Sequence, residues 1–298
     1  MTATVFTRAR NGAALPLSRV PSVPFDLFRG ALLGELGEGR RLVAFFAAEA
    51  EGAAAELWAV VADDGPGTLG VARALLPDDR FPSLTPAAPQ AHLFEREMAE
   101  QMGLKPQGHP WLKPVRYRPS WRPGHDAWGR TEGAPIDPAV GDFFRVEGQE
   151  VHEVAVGPVH AGVIEPGHFR FQCHGERVFH LEIALGYQHR GVEESLRGGP
   201  HRHTAARIET LAGDTTVGHA TAWAQALEAL SATTAPPRAQ AIRGIALELE
   251  RLANHAGDLG ALAVTPACGL AGRSPAVARA VQKAAVDLAR ELNEEAQR

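Results

Sequence analysis

The spacing of apolar residues predicts an α/β structure for the first part of the chain. Residues 25–36 predict a short helix. The apolar runs 41–48 and 56–62 predict strands of an antiparallel sheet, because glycine or acidic residues bound each run and valine and aromatic side chains lie inside it. Residues 81–90, FPSLTPAAPQ, contain three prolines and are predicted to be extended.

A predicted helix and a long coil follow. Between residues 92 and 104, apolar side chains at 93, 94, 98 and 102 predict an amphipathic helix that Gly103 ends. The coil, Lys105 to Arg130, has five prolines, three tryptophans and a single acidic residue. We expect it to lie across a neighbouring domain or subunit with its aromatic side chains as anchors. Its basic and aromatic residues leave a nucleic-acid surface open as the alternative.

The second part of the chain predicts a small sheet followed by helices. HEVAVGPVH (152–160) predicts a strand, and residues 168–187 predict a hairpin around His174-Gly175, where glycine supplies the positive φ of a tight turn. Helical spacing of apolar residues follows at 219–231, after Pro236-Pro237, and at about 275–296.

These elements define the predicted fold class, α+β. An N-terminal α/β domain with an antiparallel sheet precedes a small β-sheet that leads into an α-helical bundle. We divide the chain into a domain at 1–125, a linker at 126–150 and a second domain at 151–298.

Composition narrows the class of protein. The 298 residues suffice for two domains, and 45% hydrophobic with 22% charged residues is a normal globular balance. The net charge of −5 argues against nucleic acid as a partner. Two cysteines cannot form a disulfide framework, and the N-terminus lacks a signal-peptide pattern, which favours the cytoplasm. The apolar runs are too short to span a bilayer, so we expect membrane contact only through partners.

The histidines and cysteines do not predict a metal site. His201 and His203 could supply two ligands, but no cysteine or carboxylate stands at a complementary spacing, so an exposed turn is the simpler interpretation. Cys173 and Cys268 have no CxxC partners and are expected to be small buried residues.

Two polar clusters could carry chemistry. His189-Arg190 follows the predicted hairpin, with Glu193 and Glu194 one turn later, a cluster that could tune a redox centre, relay protons or simply cap a helix. Glu250 and Asn254 stand four residues apart on a predicted helix that also carries Arg251 and His255, and the simple interpretation is a polar stripe.

Three stretches give the chain a family resemblance: GPVHAGVIEPGHFRF (157–171), GYQHRGVEESLRG (186–198) and PPRAQAIRGIALELERLANHAGDLGALA (236–263). They closely resemble the catalytic large subunit of membrane-bound nickel–iron hydrogenases of the formate-hydrogenlyase and hydrogenase-4 type, and the homologous quinone-site subunit of respiratory complex I. Residues 81–110 resemble the small peripheral-arm subunit of complex I, which hydrogenase-4 enzymes carry fused in front. The resemblance covers about residues 30–270.

The resemblance implies a peripheral subunit on the cytoplasmic side of the cell membrane. Its implied partners are a small iron–sulfur subunit, which would hold a 4Fe–4S cluster, and antiporter-like membrane subunits. No cofactor is expected to bind this chain directly, although a quinone is possible. The family continues past the end of this chain at Arg298, which we interpret as either a natural short form or part of a longer sequence.

The turn in LAGDTTVGHATAW (211–223) departs from the family. Hydrogenase relatives carry two cysteines there that bind nickel and iron, because soft thiolates stabilise and bridge these metals. Here the two positions are Ala212 and Thr215, so the nickel–iron site is not expected to form. The histidine and tyrosine that complex I relatives offer to quinone correspond to Pro166 and Gly213, and we expect His168 or Asp214 to substitute.

The candidate site residues combine these clusters with the resemblance. The catalytic candidates are His168, Asp214, His219 and Glu193. The candidates near a cofactor are His160, Arg170, His189, Arg190, Arg251 and His255, with Glu165 and Glu250 beside them. We expect the carboxylates and histidines to form a proton path, and the arginines to raise the potential of a nearby cluster.

The leading functional hypothesis is a subunit of a membrane-associated, energy-converting oxidoreductase of the NADH:quinone oxidoreductase or hydrogenase kind. The chain would organise an iron–sulfur partner and couple electron transfer to the membrane arm without a nickel–iron site of its own. A non-catalytic scaffold and a free-standing metalloenzyme are the alternatives.

Overall fold

A computed structural model of the protein describes residues 5–137, 143–148, 150–158, 166–271 and 283, with the backbone alone for residues 261–271. Two compact units result. The first contains the described residues up to 158 together with 166–189, and the second contains those from 190 onward. The sequence-based division placed residues 151–189 in the second domain, and that division stays a prediction.

The first unit is built on a five-stranded sheet. Its elements are β1 (Thr7–Arg10), β2 (Ser22–Val23), α1 (Phe25–Gly37), β3 (Arg41–Ala48), β4 (Ala55–Asp63) and β5 (Thr68–Leu76). The strand order is β1-β5-β4-β3 with antiparallel neighbours, and β2 pairs with β5 in parallel. The predicted helix and both predicted strands are confirmed to within one residue at each end.

Alternation of side chains along β4 forms the core of this sheet. Ala55, Leu57, Ala59 and Val61 are fully buried, whereas the residues between them are partly exposed. Three residues of α1 at intervals of four, Phe28, Leu32 and Leu36, belong to the same buried cluster. One face of the sheet is therefore covered by α1, as period-two burial in a half-covered sheet requires.

The second part of this unit contains a helix held by a coil. The elements are β6 (Arg80–Pro82), α2 (His92–Met102) and β7 (Lys105–Gln107), with β6 and β7 paired in parallel. Gly103, with φ of +68°, ends α2 in the left-handed conformation that glycine adopts readily, which confirms the predicted helix end. A Cβ at this position would lie 2.6 Å from the carbonyl carbon of His125, so the coil approaches the helix end closely.

The coil at residues 113–126, which we call the strap, crosses α2 by hydrogen bonds. The buried carboxylate of Glu100 accepts the N–H groups of Val115, Arg116 and Arg118 at 3.2, 2.8 and 2.9 Å. Arg96 donates to the carbonyls of Lys113 and Pro114 at 2.7 and 2.9 Å. The strap therefore lies on the helix that precedes it in the chain.

The basic residues of the strap region are paired with acids of the first unit. The ion pairs are Lys113–Glu182 at 2.6 Å, Arg116–Glu97, Arg122–Asp79 at 2.8 Å and Arg130–Asp126 at 2.7 Å. The excess of positive charge in this part of the sequence is thus compensated inside the fold. That pairing gives no support to the nucleic-acid alternative, which would need the charges at a surface.

A three-stranded sheet completes the first unit. Its strands are β8 (Val151–Val156), β9 (His168–His174) and β10 (Arg177–Ala184), in the antiparallel order β10-β9-β8. The predicted hairpin is confirmed, with Gly175 in the turn at φ of +56°. The strand predicted at 152–160 ends earlier, at Val156, because Pro158 has no N–H to continue the ladder. Residues 159 and 160 lie outside the described part of the chain.

The polar face of this sheet is the buried one. His168, Gln172 and Glu182 are each at most 8% exposed. Apolar residues of the two outer strands lie on the opposite face, pair with Phe169 and Phe171 of β9 and are 40–51% exposed: Val154, Val156, Leu181 and Ile183. Cys173 is also buried, as expected for a small apolar residue, whereas the side chain of Cys268 is not described.

The second unit is helical. It contains α3 (Val192–Ser195), α4 (Thr204–Glu209), α5 (Thr216–Leu230) and α6 (Pro237–Ala271). The helix predicted at 219–231 begins three residues earlier, and the helix after Pro236-Pro237 is confirmed. The helix predicted at 275–296 lies outside the described residues. Among the helices that the structure describes, none has the length and apolar character needed to cross a membrane.

A half-buried histidine pair lies where α2 begins. The rings of His92 and His109 stack with centroids 5.4 Å apart, and the ring of Trp111 lies 5.6 Å from that of His92. The backbone N–H of Trp111 donates to Nδ1 of His109 at 3.0 Å, while Nε2 lies 3.2 Å from the His92 carbonyl, which fits the neutral Nε2–H tautomer. Burial, with Arg96 and His109 adding, lowers the pKa of His92 to about 4. Burial also lowers the pKa of His109.

We expect mild acid to destabilise the first unit. The folded protein keeps these histidines neutral, whereas the unfolded chain protonates them below the ordinary histidine pKa of about 6.5, so stability falls as the pH drops from about 7 towards 4. The urea midpoint followed by tryptophan fluorescence should be lower at about pH 5 than at about pH 7, and His92→Gln should flatten this dependence. His125→Gln, a change at a histidine whose side chain is 42% exposed, should leave it intact. Equal midpoints at both pH values would contradict the prediction.

Candidate functional site

The turn at residues 210–218, which contains Ala212 and Thr215, lies in the second unit. Ala212 has extended dihedral angles, and residues 213–215 form one turn of 3-10 helix that leads into α5. The Thr215 N–H donates to the Ala212 carbonyl at 3.2 Å, so these two residues stand at the two ends of one closed turn.

Three side chains from elsewhere in the second unit hold this turn. Arg190 donates to the carbonyls of Thr210 and Leu211. From α6, Asn254 donates to the carbonyl of Asp214 at 2.6 Å. We call these contacts, together with those of Glu250 described next, the clamp.

Glu250 caps α5 from a neighbouring helix. Its carboxylate accepts the N–H groups of Val217 at 2.5 Å and Gly218 at 3.2 Å. Thr215, at the N-cap position, makes no side-chain capping bond, so the first N–H groups of α5 need another acceptor. A carboxylate at a helix N-terminus is also favoured by the helix dipole.

The residues of the turn do not fit a nickel–iron centre. Ala212 offers no donor atom, and the hydroxyl of Thr215 cannot replace a soft thiolate. The N–H groups at the start of α5 are already bonded to a carboxylate. Across the part of the chain that the structure describes, no three His, Cys, Asp or Glu side chains are grouped as metal ligands.

The structure brings together some of the predicted residues of the second unit. Arg190 and Glu250 bind the turn that contains Asp214. His219 is half-buried in the first turn of α5. Arg251 and His255 are exposed on α6, where Arg251 pairs with Glu248 at 3.1 Å, and Glu193 is exposed on α3. The exposed turn expected at His201–His203 is confirmed.

The predicted residues of the hairpin form a separate network in the first unit. Nδ1 of the buried His168 lies 3.0 Å from the Gly157 carbonyl, and Arg170 Nε donates to its Nε2 at 3.3 Å, which fits a neutral Nδ1–H tautomer. Arg170 also pairs with Glu153 and stacks on Phe143 at 4.1 Å. His168 would have to break one of these bonds before it could exchange a proton with a ligand. His160 and Glu165 lie outside the described residues.

His189 lies beside the strap at the edge of a cleft in the first unit. Burial lowers the pKa of His189, and the positive charges of Arg116 and Arg118 add to the effect. The cleft is lined by residues 115–136 and 184–189, including both tyrosines of the chain. His189 belongs to the first unit, whereas Arg190 and the turn at 210–218 belong to the second.

Sequence reasoning placed Glu250 and Asn254 in a polar stripe and missed what they contact. Their four-residue spacing puts both on one side of α6, which is the side that meets the turn. No signal for these contacts was available in the sequence: Thr215 at the N-cap position is a residue type that often caps a helix, and only the structure shows that its side chain makes no capping bond.

We expect Glu250→Gln to weaken the start of α5. The amide still fills the space but loses the charge that the helix terminus favours, so the free energy of unfolding of the second unit should fall by about 1–2 kcal/mol. Chemical denaturation followed by far-UV circular dichroism measures this, because most of the described helix belongs to the second unit. Glu248→Gln is the matched control, because Glu248 is exposed and pairs with an exposed arginine, and its effect should stay below about 0.5 kcal/mol. Equal effects of the two changes would contradict the assignment.

Comparison with known proteins finds one matching family and several similar proteins. Residues 67–130 match the family of the respiratory-chain NADH dehydrogenase 30 Kd subunit. The chain is 32% identical over 190 residues to formate hydrogenlyase subunit 5 of Escherichia coli K12, covering 60% of this chain and 33% of the relative. It is 32% identical over 202 residues to hydrogenase-4 component G of the same organism, covering 64% and 36%.

A relative named for a quinone oxidoreductase matches a similar share. The chain is 29% identical over 201 residues to the NADH-quinone oxidoreductase C/D polypeptide of Gluconacetobacter diazotrophicus, covering 59% of this chain and 33% of the relative. The chain therefore spans about a third of the length of these curated relatives. Together these matches confirm the resemblance found in the sequence, including the 30 kDa-type segment in front.

Proposed function

Because this chain is related to the subunits of membrane-bound hydrogenases and complex I, with a 30 kDa-type segment in front, we propose that it is a subunit of an energy-converting oxidoreductase complex. In this role it organises an iron–sulfur partner and has no nickel–iron site. It acts on the cytoplasmic side of the membrane, which it reaches through antiporter-like subunits.

The observation that carries this proposal is the clamped turn without thiolates. Arg190, Glu250 and Asn254 hold the 210–218 turn by its backbone, so its shape does not depend on a bound metal. Side chains at positions 212 and 215 are the ones that metal binding would need, and neither is a soft donor. The proposal therefore assigns the redox centre to the iron–sulfur partner.

The residues we assign to proton transfer are two carboxylates and two histidines. Asp214 and Glu193 are exposed, so both can exchange protons with water or with a partner. His219 and His168 are the candidate imidazoles, and His168 is the less available because both of its ring nitrogens are engaged. A quinone, if one binds, is expected to contact Asp214 or His168.

A scaffold role is the second candidate, and the clamp favours it. Arg190 and Glu250, two residues assigned from the resemblance, here make contacts that stabilise a turn. A subunit that serves only for assembly needs such stabilising contacts and no catalytic residues.

Co-purification and turnover separate these candidates. The full chain with an affinity tag, expressed with its native neighbours, is purified from detergent-solubilised membranes and assayed for electron transfer and for metal content. We expect an iron–sulfur protein and membrane subunits to co-purify, with iron but no stoichiometric nickel. The same complex is then made with Glu193→Gln and Asp214→Asn.

Each outcome has one meaning. Loss of turnover in an assembled Glu193→Gln or Asp214→Asn complex supports a role in proton transfer. Unchanged turnover in both variants supports the scaffold. A full chain that stays alone at every step, or nickel bound beside Ala212 and Thr215, overturns the proposed function.

A further inference from the structure

The cleft in the first unit has the size of a small-molecule site. Its volume is about 850 Å³, within the range of about 300–1,000 Å³ that is usual for ligand pockets. Its walls are the strap with the loop after it, residues 115–136, and the segment after β10, residues 184–189. Gly186, at φ of +96°, joins the walls: a Cβ there would lie 2.6 Å from the carbonyl oxygen of Val115. The cleft is therefore formed by backbone segments already in contact.

The polar lining is rich in hydrogen-bond donors. Burial and the neighbouring Tyr187 raise the pKa of Tyr117, so its phenol keeps its proton at neutral pH. His189 is kept neutral by burial and by the nearby guanidinium groups, so its imidazole offers one donor. Arginines at positions 116, 118, 122 and 130 also line the cleft, against the two carboxylates of Asp126 and Glu132.

The Arg116 guanidinium has N–H groups that its ion pair does not occupy. Its Nη1 pairs with Glu97, and no described residue accepts a hydrogen bond from its Nε or Nη2. A guanidinium presents five N–H groups in a planar fork, so two edges can act at once. The ion pair with Glu97 can therefore hold the guanidinium at the cleft while its Nε and Nη2 groups can still donate to a ligand.

Tyr117 is held in an uncommon backbone conformation. Its φ is +57°, in the left-handed region that a residue with a Cβ enters at a cost. Such conformations persist where the surroundings fix them, often at ligand sites. Here Glu100 binds the N–H groups on both sides of Tyr117, those of Arg116 and Arg118, which holds the residue in place.

We propose that this cleft binds a small organic anion in which a phosphate or carboxylate is attached to a flat ring. The anionic oxygens accept hydrogen bonds from the guanidinium of Arg116 and from the phenol of Tyr117. The ring packs against the tyrosine side chains and the aliphatic lining, which includes Val115 and Leu185. This site lies in the first unit and goes beyond the function proposed for the 210–218 turn.

Three related probes test the ligand class on the full chain. Adenosine monophosphate carries a ring and a phosphate, adenosine the ring alone, and inorganic phosphate the anion alone. We expect calorimetric titration to show binding of the monophosphate at least about tenfold tighter than of adenosine or phosphate, because each half supplies part of the contacts. NMR titration should show the pKa of His189 rising in the complex, since the anion offsets the arginine charge.

Substitutions locate the site. Arg116→Gln should weaken binding of the monophosphate about tenfold or more. Glu97→Gln breaks the same ion pair but keeps the guanidinium, so it should bind at least as well as the wild type. Arg243→Gln is the matched control: its pair with Glu228 has side-chain exposures of 28% and 24%, close to the 27% and 27% of Arg116 and Glu97. That variant should bind like the wild type.

Tyr187→Leu provides a second variant that leaves the ion pair intact, and it should weaken the monophosphate more than inorganic phosphate. The proposal is overturned if the monophosphate binds no better than its two halves, or if Arg116→Gln binds it like the wild type in a folded protein. Tighter binding of an acidic hexapeptide than of the monophosphate also overturns it, because the cleft would then be a protein-docking groove.

Discussion

Glu95→Ala is expected to lower the free energy of unfolding of the first unit by about 3–5 kcal/mol. The carboxylate is fully buried and accepts four hydrogen bonds, from the Ser83 hydroxyl at 2.6 Å, the Leu84 N–H at 2.6 Å, and the Thr85 hydroxyl and N–H at 2.5 and 3.4 Å. Removing it leaves the Leu84 N–H and the hydroxyls of Ser83 and Thr85 without this acceptor, whereas the Thr85 N–H also donates to the Ser83 hydroxyl oxygen at 3.2 Å. Each such loss costs about 1–3 kcal/mol, and entering water recovers part of the sum.

Urea denaturation followed by tryptophan fluorescence measures this effect, since four of the five tryptophans belong to the first unit. Glu51→Ala is the control, an exposed position in a turn, and should change stability by less than about 0.5 kcal/mol. If Glu95→Ala proved as mild as Glu51→Ala, the carboxylate would not be the acceptor that holds residues 83–85.

Gly103→Ala is expected to destabilise the first unit by about 3 kcal/mol or more. Alanine in the left-handed conformation, at φ of +68°, has a conformational cost that glycine lacks. Its Cβ would also lie 2.6 and 2.7 Å from the carbonyl carbon and oxygen of His125. Because these are backbone atoms, the collision can be relieved only by moving the strap away from the end of α2. The Arg122–Asp79 and His125–Asp79 contacts would move with it.

A second glycine separates the two causes. Gly108 has a similar φ of +78° but no atom within 4 Å of an added Cβ. Gly108→Ala should therefore show only the conformational cost, about 1–2 kcal/mol. The difference between the two urea midpoints measures the close approach of the strap, and its absence would mean that the strap does not contact the helix end.

The strands that could be predicted from the sequence are the bounded apolar runs. β3 and β4 have valine and aromatic residues inside an apolar run that glycine or acidic residues bound, whereas β5, TLGVARALL, has no such pattern and was not predicted. Its alanines, leucines and arginine are typical of helices, and Gly70 weakens any strand signal. Its position is decided by pairing with β4 on one side and β1 on the other, which a local pattern cannot reveal.

The strap shows a different limit. Its composition indicated a surface coil with aromatic anchors, and the structure confirms the coil while placing it on its own preceding helix. The acids that pair with its lysine and two of its arginines are Glu182, Glu97 and Asp79, which are distant in sequence from their partners. Charge complementarity of this kind appears only once the fold brings the groups together.

The candidate site was predictable in its chemistry but not in its contacts. The loss of donors at Ala212 and Thr215 could be read directly from the sequence. That Arg190 and Glu250 bind the backbone of the same turn could not, because their separation of 60 residues is closed only by the packing of α6 on α5.

The ion pair between Lys113 and Glu182 has a consequence for how the gene can be divided. Glu182 lies in β10 and is 3% exposed. Its carboxylate accepts hydrogen bonds from Lys113 and from the N–H of Phe144, so it contacts residues before and within the connecting region. Two polypeptides produced by a genetic split between residues 126 and 150 would each contain one partner of this ion pair, and the Glu182 carboxylate would lose its cation. Such halves are expected to be insoluble when expressed singly and to recover solubility when expressed together.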